Sequence, residues 1–158
     1  MRQIVLAAAV FSTLNFATPV LAQAQEESVN IEAGEMEIID ADKRAIFRGD
    51  VVAKRSSETI NAQEMTVEYI DVKQADGSSK SEVNTMDCTG GVTITTPTQV
   101  ITGNRAIFKV RKDELVVTGN VKVVQGKTVL RGPELLANLK TKRTVMKGGR
   151  VKGTFVPQ

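Results

Sequence analysis

The sequence predicts an all-β fold built from stacked, short antiparallel strands. Apolar residues alternate with polar ones at a period of two, as in Ala45, Phe47, Gly49, Val51 and Ala53, a pattern typical of strands that bury one face. Two short motifs recur in turn along the chain, and no convincing helical period follows the first 24 residues. A chain of 158 residues supports one domain of this kind.

The first 24 residues predict a secretory signal peptide. Arg2 supplies a positive start, residues 4–16 are mainly apolar, and Ala22 and Ala24 are small residues at the expected cleavage point. Cleavage after Ala22 and cleavage after Ala24 fit equally well. The apolar run is too short to favour a membrane anchor. We therefore expect a soluble domain, residues 25–158, that functions outside the cytoplasm.

Both repeated motifs contain a small residue within a run of alternating apolar residues. The copies of the first are centred on a glycine, and they are Phe47–Val51, Cys88–Val92, Val117–Val121 and a looser Met146–Val151. The copies of the second alternate with these, and they are Ile31–Ala33, Ile60–Ala62, Ile101–Gly103 and Leu130–Gly132. A glycine that recurs inside a strand at one phase indicates a regular bend or bulge.

The spacing of the motifs defines a repeat of 29 residues. The step from the second motif to the glycine is 16 positions in three units (33 to 49, 103 to 119, 132 to 148), and the return step is 13 (49 to 62, 90 to 103, 119 to 132). The remaining step is 28 (62 to 90), which is 12 longer than 16. We assign these 12 residues to a polar loop near residues 71–82. A period of this length predicts stacked units that share one core.

Each unit is expected to contain two short strands that meet at a corner. The polar pairs Gln63-Glu64 and Asn104-Arg105 interrupt the alternation and mark these corners. Residues 130–139 also suit a helix, because a proline, a glutamate and several leucines lie at helical positions. Their register matches residues 101–110 position for position, so we predict a strand there.

Composition argues against an enzyme. The chain has no histidine, which excludes Ser-His-Asp and Cys-His sites and histidine-based metal sites. Neighbouring carboxylates such as Glu32 and Glu35, or Asp113 and Glu114, fall on outward positions or turns. Cys88 is the one cysteine and is interpreted as a small buried hydrophobe. We predict no catalytic residues and no cofactor, and no nucleotide-binding glycine loop is present.

Charge changes sign along the chain. Residues 25–42 contain seven acids and no base, whereas residues 140–152 contain six bases and no acid. Opposite charge at opposite ends suits head-to-tail contact between copies, although an ordinary solubilising surface explains it equally well. We expect no nucleic acid partner, because the net charge is only +3 and aromatic residues are 4% of the chain.

The ordered series of motifs resembles the LptA/OstA family of periplasmic lipopolysaccharide-transport proteins. The series is Ile-x-Ala-x-x-Met from Ile31, Phe-x-Gly-x-Val from Phe47, Ile-x-Ala-x-x-Met-x-Val from Ile60, and Gly-Asn-Val-x-Val from Gly119, with Gly153–Pro157 at the end. The resemblance covers about residues 31–157. It implies an OstA-like twisted β-jellyroll in which lipid A chains slide along the interior.

The resemblance also implies partners. The N-terminal edge would join the inner-membrane Lpt complex, the C-terminal edge would join the outer-membrane Lpt translocon, and further copies would join head-to-tail between them. Related domains occur in the two flanking components, and the predicted cleaved leader favours the bridge protein. The alternative function is a structural β-stack of the envelope that polymerises without carrying lipid.

The low aromatic content and several inward Ala and Gly positions predict an interior that is not completely filled, and an apolar trough suits an acyl chain. Strand phase alone selects candidates for lipid contact, although the simpler interpretation of each is a core residue. These residues are Ile38, Phe47, Met65, Val67, Phe108, Val121 and Leu135.

Overall fold

The structure is a computed structural model that describes residues 29–156. The predicted signal peptide lies outside the described residues. The described part forms ten strands, which are β1 (Asn30–Glu32), β2 (Glu35–Ile39), β3 (Arg44–Arg55), β4 (Glu58–Lys73), β5 (Ser79–Thr95), β6 (Val100–Lys109), β7 (Glu114–Gln125), β8 (Thr128–Asn138), β9 (Arg143–Lys147) and β10 (Lys152–Thr154). Single 3-10 turns at Asp40–Asp42 and Val110–Lys112 join β2 to β3 and β6 to β7.

All ten strands belong to one antiparallel sheet. From β3 to β8 each strand pairs with the next one in the chain, while β1 and β2 both pair with β3, and β9 and β10 both pair with β8. The sheet is open, since its first and last strands do not pair with each other. The all-β prediction is confirmed. Residues 128–138 are strand β8, so the helical alternative for this segment is excluded.

A crease crosses the sheet where the glycine motifs lie. The strand register shifts between Arg48 and Val51 in β3, and the shift recurs in every pairing from β3–β4 to β7–β8. We call the part that contains β1 and β10 half-sheet 1, and the part that contains β2 and β9 half-sheet 2. Buried residues of both halves form one hydrophobic cluster, so the sheet folds over on itself at the crease.

The backbone at the crease explains the repeated glycine. Gly49 and Asp50 have φ angles of 80° and 47°, and Gly119 and Asn120 have 79° and 50°. Glycine adopts this left-handed region without strain, and Asn and Asp tolerate it better than other residues. The motif therefore requires two successive left-handed residues, of which the sequence pattern revealed only the first.

The strands are longer than the sequence suggested. At the predicted corners, β4 and β6 continue as single strands, and only the register shifts, between Asn61 and Glu64 and between Thr102 and Arg105. A bulge inserts unpaired residues and bends the strand, and pairing resumes beyond it. The bend thus lies within one long strand.

The 12 extra residues near 71–82 do not form a loop, which corrects that prediction. Asp71 pairs with Ser81 and Lys73 pairs with Ser79, so the insertion lengthens the β4–β5 hairpin. Only residues 74–78 are a turn, closed where Gln74 accepts a backbone hydrogen bond from Gly77. The strands of the extended hairpin pair with each other, but β6 pairs with β5 only from Thr85 onward. Both faces of the hairpin are therefore exposed to solvent, which explains its polar composition.

The 29-residue repeat is visible in the backbone. Lys43, Asp113 and Lys142 each have a φ angle between 51° and 54° at the turn before an odd-numbered strand. The steps are 70 residues from 43 to 113, which is 29 + 29 + 12, and 29 residues from 113 to 142. Three of the four units therefore repeat the same turn at the same place, and in the remaining unit the extended β4–β5 hairpin replaces it.

Candidate functional site

A cleft of about 560 Å³ opens between the two half-sheets, on the side away from the crease. Half-sheet 1 contributes Ile31, Ala53 and Ile60 to its wall. Half-sheet 2 contributes the opposite wall, which consists of Val67, Tyr69, Val83, Met86, Phe108 and Val110. Except for Tyr69 these side chains are apolar, and Ile31, Ile60 and Phe108 pack against the buried core while remaining partly exposed.

The extended β4–β5 hairpin forms one side of the cleft. Tyr69 and Val83 are directly opposed in β4 and β5, and both line the cleft together with Lys80, Ser81 and Glu82. These five residues belong to or adjoin the insertion. The depth of the cleft on this side therefore depends on the residues that break the 29-residue period.

Charged side chains surround the apolar wall. The rim contains Lys54, Arg55, Glu58, Lys80, Glu82 and Arg111. Lys54 is 3.8 Å from Glu32 of β1, so this cation is paired across the strands of half-sheet 1. A cleft with an apolar wall and a charged rim suits a ligand that has an apolar body and a charged head group.

The structure places the seven candidate residues in three different environments. Phe108 lines the cleft and is partly exposed, whereas Val67 borders the cleft but is only 1% exposed and belongs to the core. Met65, Val121 and Leu135 are at most 1% exposed and lie in the core, as does Phe47 at 8%. Ile38 is 62% exposed on β2, directly opposite Ala45 on β3.

The strand phase predicted from the sequence did not identify several residues of the cleft wall. Val83 follows the polar stretch that we interpreted as a loop, so its strand phase was not considered. Its partner Tyr69 continues the alternation from Met65 and Val67, and this signal could have identified it. Ile31 and Ile60 belong to the second motif, which was interpreted only as a marker of the repeat.

Arg48 forms a cluster of three ion pairs, and it lies outside the cleft. Its guanidinium is 3.0 Å from Glu37, 3.2 Å from Glu64 and 3.5 Å from Glu35. The hydrogen bond to Glu37 is the main cause that raises the pKa of Arg48, which therefore stays charged. The cluster links β2, β3 and β4.

Cys88 is buried and has no disulfide partner. Burial raises the pKa of its thiol to about 12, and the neighbouring charge of Asp87 adds to the shift. Because the thiolate is the reactive form, this residue is unsuited to nucleophilic chemistry in the folded protein. The interpretation of Cys88 as a small buried hydrophobe agrees with this placement.

The shifted pKa of Cys88 predicts how stability depends on pH. Above the ordinary thiol pKa of 9.0 the unfolded chain loses this proton, whereas the folded chain retains it up to about 12. The unfolded state then binds fewer protons, so stability falls with pH, by up to about 1.4 kcal/mol per unit. Urea titrations between these pH values should show a steeper decline for the wild type than for Cys88→Ala. Equal slopes would contradict the assigned burial.

Two features are absent from residues 29–156. No group of three or more His, Cys, Asp or Glu side chains is placed to hold a metal ion. No helix in this part of the chain is long and apolar enough to cross a membrane.

The fold and the cleft define a class of protein: a single open antiparallel sheet, folded at a glycine crease, that holds an apolar cleft between its halves. The family model described as "LptA/(LptD N-terminal domain) LPS transport protein" matches residues 30–143. The chain belongs to this family, which is one of transport proteins rather than enzymes. The predicted membership and the predicted OstA-like jellyroll fold are confirmed.

Two relatives illustrate the range of similarity. An uncharacterized protein of Rhizobium meliloti strain 1021 is 27% identical over 136 residues, which span 84% of this chain and 73% of the relative. The crystal structure of LptH from Pseudomonas aeruginosa, the LptA homologous periplasmic component of a lipopolysaccharide transport device, matches with a TM-score of 0.69. It covers 84% of this chain and 97% of LptH at 15% identity, so this likeness demonstrates a shared fold.

Proposed function

We propose that this protein is a periplasmic lipopolysaccharide carrier that holds the acyl chains of lipid A in the cleft between its half-sheets. The cleft is the observation that carries the proposal. Nine of its 17 lining residues are apolar, it opens to solvent, and six of the others are charged side chains beside which a phosphorylated sugar head can remain hydrated. Family membership and the LptH fold support the same substrate.

We further propose that the protein forms part of a bridge between the inner-membrane and outer-membrane Lpt complexes. Open strand edges are templates for pairing with another chain, and β2 and β9 end the sheet of half-sheet 2 at opposite sides. On β2, Met36 and Ile38 are 59% and 62% exposed although they share the inward face with Phe47 and Ala45. A neighbouring sheet, from the inner-membrane complex or from another copy, would cover them.

The exposure of Ile38 fits this arrangement. Ile38 lies opposite the buried Ala45 on β3, but no strand beyond β2 encloses it. In a continued sheet Ile38 would line the interior that the next unit shares. Met65, Val121 and Leu135, in contrast, support the walls from within the core.

Photo-crosslinking tests the carrier function. A photoreactive amino acid at Phe108 or Tyr69, inside the cleft, should form lipopolysaccharide adducts in growing Gram-negative cells. Each site has a matched control one residue away on the opposite face of its strand, Lys109 for Phe108 and Glu68 for Tyr69. We expect adducts at the cleft positions and none at the controls.

Two results would reject the carrier function. Adducts of equal yield at the cleft and control positions would mean that lipid meets the surface without entering the cleft. No adducts at any position, with the variants folded and exported, would favour the alternative function of a structural β-stack that does not carry lipid.

A further inference from the structure

A single row of residues crosses the outer face of half-sheet 1 and changes charge from one end to the other. Directly opposed residues on successive strands make up this row, which runs Glu32, Val52, Asn61, Thr93, Thr102, Lys122, Arg131 and Lys152. The residues Lys122, Arg131 and Lys152, which we call the basic row, are consecutive on β7, β8 and β10. Three cations thus face one another at successive strand spacings of about 4.8 Å.

Elsewhere among the described strands, directly opposed charges have opposite sign. Arg48 faces Glu64, Lys109 faces Glu114 and Glu134 faces Lys147, and each pair forms a salt bridge between 3.2 and 3.9 Å long. Like charges placed directly opposite destabilise a sheet. The basic row is therefore an exception that costs stability in the isolated molecule.

The basic row lines a depression of about 480 Å³ that is distinct from the apolar cleft. Arg150 contributes a fourth cation, and Thr102 and Asn120 contribute polar side chains. No acidic residue lines the depression. Gly119 and Asn120 form its side at the crease, where they are extra residues without partners in the register of β8.

We propose that this depression is a binding site for phosphoryl groups. A phosphate monoester carries about −1.5 to −2 charge near neutral pH and presents several acceptor oxygens. One such group can neutralise several of the converging cations, and the guanidinium of Arg131 or Arg150 can bind it through two parallel hydrogen bonds. A single protein carboxylate carries half that charge and would leave most of the repulsion within the row.

Phosphoryl groups could come from a lipid headgroup at a membrane surface or from free phosphate. Both sources present the same chemistry, so binding assays must separate them. This inference does not depend on the apolar cleft. The tests below can therefore reject it without affecting the proposed lipid transport, and the reverse also holds.

The test compares a triple variant of the basic row, Lys122→Gln/Arg131→Gln/Lys152→Gln, with a control triple variant, Lys73→Gln/Lys112→Gln/Lys127→Gln. Both lower the net charge by three, and the control residues are exposed and lie outside the depression. Binding is measured by flotation with phosphatidylcholine vesicles that contain phosphatidic acid, and separately by calorimetry with inorganic phosphate. As a control, vesicles with the same surface charge supplied by oleate measure the binding that is due to charge attraction alone.

We expect the wild type and the control to bind phosphatidic acid vesicles, and the basic-row variant to bind about 100-fold more weakly, because only this variant loses the three cations that line the depression. Phosphate should also raise the melting temperature of the wild type but not that of the basic-row variant, because it relieves the repulsion. Vesicle binding assigns the site to a lipid headgroup. Binding of inorganic phosphate alone assigns it to soluble phosphate.

Three results would overturn the proposal. Equal binding of all three proteins to phosphatidic acid vesicles and to phosphate would remove the site. Equal binding to oleate and phosphatidic acid vesicles would reduce it to charge attraction without phosphoryl recognition. Impaired self-association of the basic-row variant, without any change in either assay, would assign the basic row to an acidic protein surface instead.

Discussion

Leu135→Ala is expected to lower the free energy of unfolding by about 2–5 kcal/mol, the range for a leucine deleted from a closed core. Leu135 is 0% exposed on β8, where it lies opposite Val117 on one side and Met146 on the other. Alanine would leave a cavity that these neighbours cannot fill, because they are held by the sheet on both sides. Urea denaturation of the purified protein measures the loss.

Leu139→Ala is the matched control, since it makes the same change four residues along the chain. Leu139 is 45% exposed, just past the end of β8. Its replacement should cost less than about 1 kcal/mol, because little buried surface is lost. Similar losses for the two variants would contradict the placement of Leu135 in the core, and with it the inward phase of β8.

Gly119→Ala should destabilise the fold by about 2–4 kcal/mol, through backbone strain and a steric clash together. Gly119 has a φ angle of 79° at the crease, which an alanine adopts only with strain. A Cβ atom there would also lie 2.5 Å from the Nδ2 atom of Asn104 and 2.7 Å from its Cβ atom. The Cβ atom of Asn104 is fixed to the backbone of β6, so the clash can be relieved only if β6 and β7 separate at the crease.

Gly126→Ala separates the two causes. Gly126 has a φ angle of 55° in the turn between β7 and β8, and a Cβ atom there would have no neighbour within 4 Å. Its replacement should therefore lower the free energy of unfolding by backbone strain alone, about 1–2 kcal/mol. If thermal and urea unfolding give equal losses at both glycines, the close packing of β6 against β7 at the crease is wrong.

The strand phase could be predicted because burial of one face imposes a period of two. This reasoning placed Met65, Val67, Val121 and Leu135 on the inward side, where the structure has them buried. It could not distinguish a core residue from one that lines the cleft. That difference depends on how far apart the half-sheets lie at each position, which is a property of the folded crease rather than of any strand.

The insertion was misjudged for a related reason. A strand that is exposed on both faces lacks alternation, so Asp71 to Lys73 and Ser79 to Glu82 resemble a loop by composition. Pairing between the two strands of the hairpin decides their structure instead. The exposure of Ile38 could not be predicted either. The strand phase indicates on which face of the sheet a residue lies, but not whether its strand has a neighbour on each side.

The order of the strands has a consequence for how the chain reaches this structure. From β3 to β8 every pairing joins strands that are adjacent in the chain, and the β3–β4 and β7–β8 connections are only two residues long. Closing such short loops costs little entropy, and low contact order is associated with rapid folding. Assembly can therefore begin at any of these hairpins and spread in both directions, so that the native sheet grows as a series of local additions.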